Sequence, residues 1–169
     1  MKIFGLIPVI GLLLLATAVE TAAQRTPRRT TPRVVTSQAP VPATQLKEGS
    51  EKVAIQIKNV SKFIYVLGGA AQGIEALDKD PRANQGARNT NEQNKREVLQ
   101  AIRNLRAGLI ALEVEFRTKA PLKAHLVHIQ GIADLSAQSE DLAMAGRYVD
   151  SGKPLLIVVE KLSDTLAAM

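Results

Sequence analysis

Apolar residues recur at helical spacing along most of this chain. Over 46–80 they fall at Val53, Ile57, Val60, Ile64, Leu67, Ala71 and Ile74, alternately four and three apart. That alternation puts all seven on one stripe of an α-helix, the a/d seam of a heptad. Lys52, Lys58, Lys62 and Glu75 fall off the stripe. Pro81 has no backbone N–H to donate and predicts a stop. The polar stretch "DPRANQGARNTN" over 80–91 predicts a loop, with Asn89 or Thr90 capping a second helix. The same alternation then runs through Val98, Ile102, Leu105, Leu109, Leu112 and Phe116, up to Pro121.

A third helix is predicted over 121–150, on a less regular stripe of Leu122, Leu126, Ile129, Ile132, Leu135, Leu142 and Val149. The polar run over 136–141 predicts a bend or break in it. Gly152 predicts its C-terminal stop, and Pro154 the opening of a fourth helix. That helix carries Leu155, Val159, Leu162 and Leu166. The run "LLIVV" at 155–159 has no second strand candidate to pair with, so it reads as helix. The expected fold is all-α: an up-down bundle of about four helices over 46–169, with heptad-patterned cores. The strict heptad period also leaves coiled-coil self-association open.

The segments before 46 lack this periodicity. Residues 1–23 begin with Lys2, continue through the apolar run 3–16, and end in the small-residue stretches "ATA" and "TAA". That is the pattern of a secretory signal peptide, cleaved after Ala18 or Ala23. An uncleaved anchor is the alternative; the uncharged run 3–19 is at the short limit for spanning a bilayer, and Gly5, Pro8 and Gly11 interrupt it. Over 24–45, "QRTPRRTTPRVVTSQAPVPATQ" holds Pro27, Pro32, Pro40 and Pro42 among threonines and arginines. Such a composition buries too little apolar surface to offset its ordering entropy and predicts a disordered linker. The expected location is therefore periplasmic or secreted, in the bacterial envelope.

Charge changes the picture only when divided. The formal net charge is +6, but the arm alone carries Arg25, Arg28, Arg29 and Arg33 with no acid. From residue 46 onward, 17 Lys and Arg face 15 Asp and Glu, a net of +2. The helical part thus lacks the basic stripe of a nucleic-acid binder, and the arm lacks stacking aromatics. The arginines are candidates for weak contact with an anionic envelope surface, at ~1 kcal/mol per basic residue. With no cysteine in the chain, disulfides, thiolate metal sites and thiol nucleophiles are excluded.

Candidate chemistry is sparse. His125 and His128, three apart, could begin a metal site on one helix face, but no third ligand is near in sequence and the di-iron Glu-x-x-His spacing fails. Glu113 and Glu115 are two apart on a helix and point different ways, so they do not act on one bond. Ser136, Ser139, Glu140 and Asp141 cluster with no local histidine base. Gly69 and Gly73 form a small-xxx-small pair inside the first helix, where each glycine costs ~1 kcal/mol relative to alanine. They predict close packing inside the chain, a contact face for a partner helix, or a hinge in the first helix. The sequence therefore predicts a non-catalytic helical interaction or structural module with no cofactor, engaging a protein partner or itself. The alternative is a helical protein that binds a metal or small ligand through His125, His128 and a cavity near Gly69.

Overall fold

The computed structural model describes residues 42–169, which are helical throughout apart from short connections. The expected signal peptide, and the linker as far as residue 41, lie outside the described residues. The elements are α1 (Pro42–Lys79), α2 (Gln85–Thr118), a 3-10 segment (Ala120–His125), α3 (Leu126–Ile129), α4 (Ile132–Met144) and α5 (Tyr148–Ala167).

The two long helices follow their heptad stripes. Val53, Val60, Leu67, Ala71 and Ile74 are buried on α1, and Ile102, Leu109, Leu112 and Phe116 on α2. Ile57, Ile64 and Leu105 are only partly buried, packed against the edge of the core. α1 opens at Pro42, four residues before the expected boundary, so the linker expected over 24–45 gives way to helix at its end. Proline suits this position, because a first-turn N–H has no intrahelical acceptor to lose. The loop between α1 and α2 is also shorter than expected. Neither Asn89 nor Thr90 is the cap; Asn84 is, its Oδ1 accepting the Ala87 N–H at 2.8 Å.

The expected third helix over 121–150 is instead three pieces. Gly131 at φ 87° and Gly146 at φ 76° set the breaks, each in the left-handed region that favours glycine. At Gly146 the Arg147 N–H bonds the Leu142 carbonyl at 2.9 Å, closing α4 with a Schellman-type turn. The polar run 136–141 breaks nothing: it lies within α4 and turns Ser136, Ser139 and Glu140 inward. Gly152 is not a stop, and Pro154 does not open a helix; both sit inside α5. Burial of Tyr148, Ser151 and Pro154 explains this, since winding the helix from Tyr148 buries all three. That rotation buries Val158 and leaves Val149 and Leu166 at 45% and 37% exposure.

α1, α2, α4 and α5 pack as a closed ring of neighbours: α1 on α2, α2 on α4, α4 on α5 and α5 on α1. Polar contacts fix the directions. Lys52 of α1 bonds Glu115 of α2 at 2.6 Å, while Asn91 near the start of α2 donates to the Ile74 carbonyl at 3.2 Å. These helices are antiparallel. So are α2 and α4, joined by Glu113 to the Ala133 N–H at 3.2 Å and by Arg103 to Glu140 at 2.7 Å. α5 runs antiparallel to α1, with Val149 near Glu75 and Met169 near Gly49.

Candidate functional site

The segment 63–74, "FIYVLGGAAQGI", carries no charged residue. A helix that is apolar all round is normally covered on every side. This one is not. Its inner stripe packs on α2 and α5, but Tyr65 is 85% exposed and Val66 64%. Gly68, Gly69 and Gly73 share the open side, and a Cβ built on any of them meets nothing within 4 Å. Close packing within the described chain therefore does not account for Gly69 and Gly73.

Beside this face runs a groove of about 190 Å³ between α1 and α5. Its α1 wall is Ile64, Leu67, Gly68 and Ala71; its α5 wall is Val149, Gly152 and Leu156. Only Gln72 and Lys153 bring polar groups to it. Gly68, not Gly69, is the glycine that shapes the hollow. Glu75 marks one end of this seam: its Oε1 accepts the Val149 N–H at 2.8 Å and satisfies a donor in the first turn of α5. α5 has no side-chain cap of its own, so the cap comes from α1. Glu113 does the same for α4 through Ala133, with Arg117 against its other oxygen at 2.9 Å. Both glutamates are therefore helix-terminus anchors, which sequence reading did not assign.

The remaining candidates stand apart. Arg25, Arg28, Arg29 and Arg33 lie outside the described residues. His125 ends the 3-10 segment and His128 lies on the short α3. Among the described residues no three His, Asp or Glu side chains form a group that could hold a metal ion. Glu115 faces α1, accepting from Lys52 and Lys119, while Glu113 faces α4, so the two carboxylates diverge. Burial pushes the Glu115 carboxyl up, but the hydrogen bonds from Lys119 and Lys52 outweigh it and hold the group below its usual range. Glu140 sits under Arg103 and Arg106, whose guanidinium groups lower its pKa. Ser136 donates to the Ala133 carbonyl at 2.7 Å, a backbone bond within α4. The Ser139 hydroxyl is buried with no partner among the described residues. None of these hydroxyls is set against a base.

No family model, curated protein or solved structure matches this chain. Among the described residues no helix is long and apolar enough to cross a membrane.

Proposed function

We propose that the chain is an exported envelope protein whose described part is an up-down four-helix bundle acting as a non-catalytic interaction module. The observation that carries this is the uncharged 63–74 stretch of α1, with Tyr65 and Val66 in solvent beside an apolar groove. Contiguous exposed apolar surface of this kind marks an interaction site more often than a neutral surface. The basic arm would act as a tether, with weak contact to anionic envelope polymer as a secondary role.

The reading is tested by placing a photo-crosslinking amino acid at Tyr65, with the exposed α2 position Gln100 as control, and cross-linking in intact cells before fractionation. Specific products at Tyr65 in the envelope fraction are expected. Equal products at both positions would remove the interaction reading, and recovery of the protein solely from cytosol would remove export.

A further inference from the structure

The outer face of α1 carries a second heptad-spaced stripe, offset from the buried one. Lys62, Val66, Gly69, Gly73 and Ala76 follow one another on α1 at spacings of four, three, four and three; Asp80, four further on and one residue past the helix end at Lys79, continues the line, and all six are exposed. The stripe has a pattern that reads in reverse with opposite charge. From the midpoint of Gly69 and Gly73 outward, one side presents glycine, valine and lysine, and the other glycine, alanine and aspartate. Lys62 and Asp80 are equally far from that midpoint in sequence, which puts Lys62 about 13.5 Å from it along the axis at 1.5 Å per residue.

Deepening the interaction-module reading, on which it rests, we propose that the partner of this face is a second copy of the same chain, paired through antiparallel α1 helices. In a two-fold pairing about the Gly69–Gly73 midpoint, each residue that one copy offers meets its complement on the other. Gly69 faces the partner subunit's Gly73, so the backbones approach closely, as small residues at a helix crossing permit. Val66 packs on the partner subunit's Ala76. Lys62 faces the partner subunit's Asp80, and the pair occurs twice by symmetry. Lys62 has no ion-pair partner among the described residues. Asp80 uses one oxygen, at 2.8 Å, on the Arg82 N–H and keeps the other free for a cation. Tyr65 flanks the crossing and lies along the partner subunit's Gly73–Leu77 turn. A parallel pairing would set Lys62 against Lys62 and Asp80 against Asp80, so charge selects the antiparallel one.

One helix stripe covers less than a standard interface, so the dimer is expected to be reversible, dissociating in the micromolar range. Sedimentation velocity of the full chain between about 1 and 300 µM spans that range. A concentration-dependent shift from monomer to dimer is expected. A Cβ at Gly69 meets nothing within 4 Å in the monomer, so Gly69→Leu should leave the fold intact, yet raise Kd at least about tenfold by holding the helices apart. Lys62→Asp and Asp80→Lys should each weaken the dimer, and the double swap should restore it to within about threefold of the parent. A chain that stays monomeric throughout overturns self-pairing, as does a dimer indifferent to Gly69→Leu and to the charge swap. Cross-links from Tyr65 to a different protein, in a chain monomeric in solution, would overturn this inference while sparing the interaction module. Absence of both dimer and Tyr65-specific cross-links would remove the two together.

Discussion

Two glycines on the same helix face opposite circumstances. Gly49, near the start of α1, is buried beneath the 3-10 segment; a Cβ there would come within 2.6 Å of Leu122 Cδ2 and 3.2 Å of Met169 Cε. Gly73, nearly seven turns on, would place its Cβ in open space. Both cost the helix the same backbone entropy. At Gly49 that cost is offset inside the chain, since only a hydrogen lets Leu122 and the C-terminus close over α1. At Gly73 no offset exists among the described residues. The N-terminal half of α1 is thus a completed interface, tied down further by Lys52 on Glu115, while the 63–74 half is finished on its inner side only. The heptad period is alike in the two halves; what differs is whether another element arrives to use the small residue.

The comparison breaks first in the core. Phe116 is fully buried with Val53 and Val60 of the N-terminal half. Phe116→Ala should cost about 3–5 kcal/mol in urea unfolding followed by circular dichroism. Tyr65→Ala, on the open face, should change monomer stability by less than about 0.5 kcal/mol. Equal losses would mean the open face is covered after all. The glycines then sharpen the contrast through one substitution made twice. Gly49→Ala gains ~1 kcal/mol of helix propensity but forces Leu122, buried and without slack, to move at a cost of roughly 1–3 kcal/mol. A net loss of stability is expected. Gly73→Ala takes the propensity gain without a clash and should raise monomer stability by about 1 kcal/mol. The same change with opposite signs on one helix, read as the midpoint shift in dilute protein, is the cleanest measure of which half is finished.

How much of this was legible beforehand follows from where the deciding contacts lie. The stripes of α1 and α2, and their ends near Pro81 and Pro121, depend on local periodicity and on the missing proline N–H, both readable from residues close in sequence. The division of 121–169 was not. Gly152 and Pro154 look like a stop and a start, yet they lie inside α5 because Tyr148 and Ser151 find burial against distant elements. The stops that do act are Gly131 and Gly146, which carry no stronger local signal than Gly152. The open face was half visible: the spacing of Gly69 and Gly73 is plain, but whether a neighbour covers them depends on how α2 and α5 seat beside α1. The absence of charge over 63–74 was the available clue that Tyr65 and Val66 would share that face. The anchoring roles of Glu75 and Glu113 were invisible, since each caps a helix whose start lies far along the chain.

The smallest expected effect separates the two halves by pH. Glu115 ties the N-terminal half of α1 to α2 through Lys52, and Lys119 shares its carboxylate. Against the desolvation that raises it, those two ammonium groups lower the folded-state pKa below that of an unfolded glutamate. A carboxylate lowered in this way contributes stability that is fully present above the unfolded value and is lost as pH falls through the folded one. The loss should therefore begin below about pH 4.3 and stay under roughly 1 kcal/mol, because both lysines are partly in water. Glu115→Gln should lower stability at neutral pH by that small amount and flatten the acid limb of the pH–stability curve. The 63–74 half has no Asp, Glu, His, Lys or Arg. Substitutions there, Gly73→Ala included, should shift the whole curve vertically and leave its shape alone. If Gly73→Ala reshapes the acid limb, or Glu115→Gln merely displaces it, the two halves of α1 are coupled more tightly than their separate contacts imply.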